Sequence, residues 1–169
     1  MENFEIRMAR YGEEKTICSV LYESFVEYKS LYTEMAFKAT IFALGKVRER
    51  IDDEMIWVGL HNNVISATLS LQPHNDAMYI RSVAVIPAAR RKGLAKGLMT
   101  HAEREAVKKK FLLLELTTTP FLVEAVNLYK AFGFEACGYE DLYGTRLITM
   151  KKKLKLPVLG KQENHHLNS

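Results

Sequence analysis

Cysteine is scarce in this 169-residue chain, which carries only Cys18 and Cys137. Two thiols are too few for a disulfide scaffold, and neither has metal-ligand neighbours at the usual spacing. Free thiols in a reducing compartment, and no metal, are the expectation. Apolar runs are short. None approaches the roughly 18 residues of a membrane span, and the opening M-E-N-F-E-I-R has acids where a secretory signal would carry its apolar segment. The expected location is cytoplasmic, with no membrane partner. Linker-like stretches and internal repeats are also missing, so a single domain is expected over residues 1–155. The closing L-P-V-L-G-K-Q-E-N-H-H-L-N-S has no hydrophobic period, and residues 156–169 read as a flexible tail.

Strong charge imbalance is absent too. The net charge is +4 with a pI near 9.0, and the excess gathers at residues 90–96, 108–110 and 151–155. No aromatic residues interleave these clusters and no recognition-helix pattern accompanies them, so no nucleic-acid partner is expected. The second and third clusters read as solvated element ends. What remains is an ordinary globular composition, 48% hydrophobic and 26% charged, on a chain long enough to bury about two-thirds of its unfolded surface.

Periodicity orders the elements. Residues 4–8 alternate as a first strand; residues 12–29 carry Ile17, Val20, Leu21, Phe25 and Tyr28 at helical spacing. A second helix is expected over 34–51, with Phe37, Ile41, Leu44 and Val47 on one face. Residues 55–60 and 64–71 are β-rich and flank His61-Asn62-Asn63, a hairpin signal. After a turn at 73–76, residues 78–86 are apolar on both faces, as suits a central strand. A helix over 93–109, a strand over 111–116, a helix over 121–132 stopped by Gly133, and strands over 134–139 and 145–153 complete the chain. The order β-α-α-β-β-β-α-β-α-β-β makes an α/β fold, with helices on both faces of a mixed sheet.

One stretch, V-A-V-I-P-A-A-R-R-K-G-L-A-K-G-L at residues 83–98, organises the rest. A β-branched run ends at Pro87, a basic turn follows, and a helix begins near Gly93. Such a turn aims backbone N–H groups and the positive end of a helix dipole at one point, which suits a phosphate. Arg90, Arg91, Lys92 and Lys96 surround it. A P-loop would place Ser or Thr after Gly-Lys, and a dinucleotide fold would show G-x-G-x-x-G; neither pattern is present.

This stretch and the element order resemble the GNAT superfamily of N-acetyltransferases. Its signature, Arg or Gln, two residues, Gly, one residue, then Gly or Ala, is met by Arg90, Gly93 and Ala95. N-L-Y-K-A-F-G-F at 127–134 is similar to the family's helix-then-strand ending, and the resemblance covers about residues 4–154. It implies acetyl-CoA as cosubstrate, with the backbone N–H groups of Arg91, Lys92, Gly93, Leu94 and Ala95 on its diphosphate. It implies splayed central strands, usually at a bulge, with pantetheine along the main chain of Val83 and Val85. Asn127 is a further cofactor-binding candidate. Tyr129 stands where many members carry a tyrosine that protonates the leaving thiolate, although its helical stripe also suits a core aromatic.

The implied reaction is direct transfer of acetyl to an amine of a small molecule or peptide in a ternary complex. Glu115 is a candidate base, with Tyr79 and His74 as others. Tyr28, Tyr32, Glu34, Phe37, Tyr139, Glu140 and Tyr143 are candidates for acceptor recognition, a set that would suit a small cationic amine. The resemblance leaves room for a homodimer. The alternative is a non-catalytic CoA-binding or regulatory module with the same fold. Cys18 and Cys137 read as buried small apolar residues.

Overall fold

In the computed structural model, which describes residues 3–155, the apolar runs become seven strands. They are β1 (Phe4–Met8), β2 (Ile56–His61), β3 (Val64–His74), β4 (Ala77–Val85), β5 (Leu113–Thr118), β6 (Glu135–Leu142) and β7 (Thr145–Lys153). The sheet order is β1-β2-β3-β4-β5-β7-β6, antiparallel except for the β4–β5 pair. β4 is the middle strand, as its two apolar faces require. The predicted tail at 156–169 lies outside the described residues.

The helices are α1 (Glu14–Phe25), α2 (Glu34–Thr40), α3 (Leu44–Asp52), α4 (Leu94–Lys108) and α5 (Val123–Ala131). Two predicted helices are shorter than their patterns. After Phe25 the first tightens into a 3₁₀ turn, Val26–Leu31, which fully buries no residue and so has little packing to hold an α-helical ladder. The helix expected at 34–51 is two helices. Thr33 caps α2, accepting from the Ala36 N–H at 3.2 Å, and the chain then extends at Ile41 and Ala43 so that Phe42 enters the core.

The turn expected at 73–76 is confined to Asn75 and Asp76, with Asn75 at φ 55°. Strand β3 runs through Pro73 because β2 begins only opposite Ser70. The Leu71 N–H reaches Met55 on that side, and two residues later the missing N–H of Pro73 faces no strand.

Each face of the sheet is packed. Leu94, Leu98, Met99, Ala102 and Ala106 of α4 lie on Met78, Ile80, Leu114 and Leu116. On the other face Ile17, Val20, Leu21 and Phe25 of α1 join Phe37, Phe42, Val47 and Ile51 over Ile56, Val58 and Leu60. At Gly97 a Cβ would stand 2.8 Å from Ile6 Cδ1, so glycine lets α4 lie close against β1. Cys18 is half-buried and Cys137 exposed, so only the first approaches the expected buried position; both are free thiols. Among the described residues no helix is long and apolar enough to cross a membrane.

Candidate active site

The site begins with one extra residue in β4. Ser70 of β3 pairs with Arg81 and Thr68 with Ala84, so two steps on β3 face three on β4. Ser82 takes up the difference at φ 54°. The bulge reverses the strand's alternation. Before it, Met78 and Ile80 face α4 and Tyr79 and Arg81 face away; after it, Val83 and Val85 face α4 and Ala84 faces α1. Pairing of β4 with β5 stops at Ile80 and Leu116, although β4 continues to Val85 and β5 to Thr118. The two central strands therefore part, and a cleft opens between them.

A cavity of about 410 Å³ occupies this cleft. Its walls come from the bulged half of β4, from Thr117, Thr118 and Thr119 after the splay, and from α1, α4 and α5. At one end stands the N-terminus of α4. Gly93 precedes the helix at φ 92°, and no side chain caps it. The first helical bond runs from the Gly97 N–H to the Gly93 carbonyl at 2.9 Å, which leaves the N–H groups of Leu94, Ala95 and Lys96 without intrahelical acceptors. A Cβ at Gly93 would meet nothing within 4 Å, so the backbone there borders open space. An uncapped helix start with cations beside it can hold phosphate oxygens.

The arginines of the turn have distinct surroundings. Arg90 is a strut: its Nη1 reaches the Glu27 carboxylate, its Nη2 donates to the Ser24 carbonyl at 2.8 Å, and its Nε to the Val85 carbonyl at 3.2 Å. Arg91, in the left-handed region at φ 61°, reaches Glu124 at 2.9 Å with both side chains largely exposed. Lys96 is exposed at the mouth.

Tyr129 lies on the α5 wall of the cavity, only 6% exposed, with its ring edge-on to Phe134 at 6.1 Å. Burial first, and then neighbouring Tyr32, push its pKa above the ordinary phenol value, so the hydroxyl stays protonated. Tyr32 is shifted up by burial as well, with the nearby Thr119 and Thr40 hydroxyls offsetting part of the rise. Its ring meets Phe121 edge-on at 4.9 Å. Tyr79 shares a 2.5 Å hydrogen bond with Thr117 across the splay. Thr119 is 2% exposed and lines the cavity, and its hydroxyl has no hydrogen-bond partner among the described residues.

The fold brings Val83, Val85, Arg90, Arg91, Gly93, Leu94, Ala95 and Tyr129 to this one cavity. Lys92, Asn127 and Glu115 are not part of its wall. Asn127 is exposed on α5, and the Glu115 carboxylate lies 3.8 Å from Lys151. Of the acceptor candidates, Tyr28 and Tyr32 line the cavity, whereas Glu34, Phe37, Tyr139, Glu140 and Tyr143 do not; of the other two candidate bases, Tyr79 lines it and His74 does not. Sequence reasoning passed over Arg81, Thr117 and Thr119. The triple threonine ahead of Pro120 follows the expected 111–116 strand with no periodicity of its own, and Arg81 faces the cavity only through the phase that β4 has before its bulge.

Three comparisons bear on this arrangement. The model of the acetyltransferase (GNAT) family matches residues 18–134. The N-acetyltransferase YjgM of Escherichia coli is 40% identical over 65 residues, 38% of this chain, and the match spans only 39% of that protein's length. Among solved structures, the PaiA N-acetyltransferase of Thermoplasma acidophilum in complex with coenzyme A superposes with a TM-score of 0.75, at 21% identity over 89% of this chain and 99% of that one. A ribosomal-protein-alanine N-acetyltransferase from Brucella melitensis does so with a TM-score of 0.71, at 22% identity over the same shares. At these identities the structural matches speak for the fold.

Proposed function

Because the chain belongs to the acetyltransferase (GNAT) family, we propose that it is an N-acetyltransferase that moves an acetyl group from acetyl-CoA to an amine. The observation that carries the reading is the meeting, in one cavity, of an uncapped helix N-terminus, two splayed strands and a buried protonated tyrosine. The similar PaiA structure was solved with coenzyme A, which supports the same class of cosubstrate here.

The residues present fit such a group. The N–H groups of Leu94, Ala95 and Lys96 would take diphosphate oxygens, with the Lys96 ammonium and the Arg91 guanidinium beside them. The side of β4 that faces β5, left without a partner strand beyond Ile80, would take the amides of the pantetheine arm, near Val83. The Val85 carbonyl is already held by Arg90, so Val85 would contribute its N–H side. When bound, acetyl-CoA supplies a thioester whose C–S bond breaks as the amine nitrogen forms a C–N bond to the acetyl carbon.

Tyr129 would then donate its phenolic proton to the departing sulfur. Its raised pKa keeps the proton on the phenol over the whole physiological range, so it is present as the C–S bond breaks, and the phenolate would regain a proton from water. The amine must be neutral to attack. Among the described residues no carboxylate lines the cavity apart from Glu124, which is paired with Arg91, so the amine's proton would leave through water. Holding the two reactants side by side in the cleft supplies the proximity that direct transfer needs.

The test is incubation of the full chain with acetyl-CoA and a panel of primary amines, read by mass spectrometry and by release of free thiol. Acetylated amine formed with an equal amount of CoA supports the reading. Tight acetyl-CoA binding with no product from any amine would favour a non-catalytic CoA-binding module.

A further inference from the structure

The charged residues of the cavity are unevenly matched. At the helix end, Arg90 is tied to Glu27 and Arg91 to Glu124. Arg81 is the charged lining residue away from that end, and it has no carboxylate partner among the described residues. Its guanidinium lies over two rings instead, 5.7 Å from the centre of Phe42 and 5.9 Å from that of Tyr79. The acids whose charge reaches the neighbouring Tyr79 lie elsewhere: Glu115 is 3.8 Å from Lys151, and Glu140 is exposed.

Two independent features mark the same region as short of hydrogen-bond acceptors and partners. Arg50, 5% exposed, is close enough to feel the charge of Arg81. It donates through Nη2 to Gln72 at 3.0 Å while its Nε–H has no acceptor among the described residues. The buried Thr119 hydroxyl inside the cavity lies near Tyr32 but makes no hydrogen bond of ordinary geometry among the described residues. Buried donors are normally paired, and a cation left unpaired beside a cavity is satisfied by what enters it. Tyr28, Tyr32, Tyr79, Leu142 and Leu147 make the remaining wall at this end aromatic and apolar.

We propose that the acceptor is an amine that also bears a carboxylate on an apolar or aromatic body, as in an amino acid, and that Arg81 binds that carboxylate. This rests on the acetyl-transfer reading and reverses the cationic acceptor that the acidic residues of the loops suggested. Arg81 would set KM and orientation, with the rings of Phe42 and Tyr79 holding its guanidinium plane in place.

Matched probes test it. Acetyl-CoA binding is first measured by calorimetry on the wild-type chain and on Arg81→Met and Arg81→Lys. Thermal stabilisation of the CoA-loaded protein is then compared for N-acetyl-L-phenylalanine, N-acetyl-L-leucine and their decarboxylated counterparts. Turnover is compared for the corresponding free amino acids and amines. The expected result is stabilisation by the carboxylate probes alone, a wild-type kcat/KM preference for the amino acids of at least tenfold carried mainly in KM, loss of that preference in Arg81→Met, and partial recovery in Arg81→Lys.

Equal or weaker binding of the carboxylate probes, binding of none of the probes, or equal loss for both acceptor types in Arg81→Met would overturn the proposal while acetyl-CoA still bound. Failure of acetyl-CoA to bind the wild type would instead remove the parent reading.

Discussion

Arg90 is part of the family signature, yet its side chain is spent on the protein itself, and replacement with methionine separates the two roles. The substitution removes the contact to Glu27 and the donors to the Ser24 and Val85 carbonyls. Glu27 is 45% exposed and regains water, so that contact contributes little. The two carbonyls are different. Ser24 is 3% exposed and Val85 half-buried, so their acceptors lose a charged donor where water enters poorly. At about 1–1.5 kcal/mol each, the loss comes to about 2–3 kcal/mol. For a domain of this size that lowers Tm by about 4–12 °C.

Thermal unfolding of the ligand-free protein, followed by circular dichroism at neutral pH, reads the effect. Arg91→Ala is the internal control. It breaks a pair whose side chains are 84% and 71% exposed and should cost less than about 0.5 kcal/mol. Equal Tm values for Arg90→Met and wild type would refute the strut and return Arg90 to phosphate binding alone.

Other outcomes follow from the same geometry. Gly93→Ala meets no steric obstacle, but φ 92° costs a residue with a Cβ about 1–2 kcal/mol and disturbs the helix start; urea unfolding should show the loss, and CoA titration a weaker affinity. Tyr129→Phe should lower kcat by about 10²-fold with acetyl-CoA affinity little changed, as measured by turnover and calorimetry. The pKa of Tyr129 is shifted upward, so its acid form persists to higher pH than in a free phenol. The wild-type kcat profile should therefore show no alkaline loss from Tyr129 below about pH 10, and a limb below pH 9 that vanishes in Tyr129→Phe would contradict this.

Much of the fold was legible because its signals are local. The buried β4 and β5 runs, the Gly93 turn and the Pro120–Gly133 segment each carry their own periodicity or stop signal. The boundaries that slipped were set by tertiary contacts. Phe42 breaks a helical pattern to reach the core, and Pro73 stays in a strand because β2 starts only opposite Ser70. The basic turn and the helix start after Gly93 were readable from spacing alone. The orientation of Arg81 was not, since it depends on where in β4 the bulge that the resemblance implied falls, and no local pattern marks Ser82. Arg90 shows a second limit: a cation's position in a motif says nothing of the carbonyls and carboxylate that occupy it.

The central claim is that the α4 N-terminus and the β4–β5 cleft hold acetyl-CoA. Calorimetric titration of the full chain with acetyl-CoA, with thermal unfolding at saturating ligand alongside, tests it most directly. The account predicts a single site and, at about 100 times Kd, roughly 2.7 kcal/mol of added stability, a rise in Tm of several degrees. No heat of binding and no rise at millimolar acetyl-CoA would contradict it.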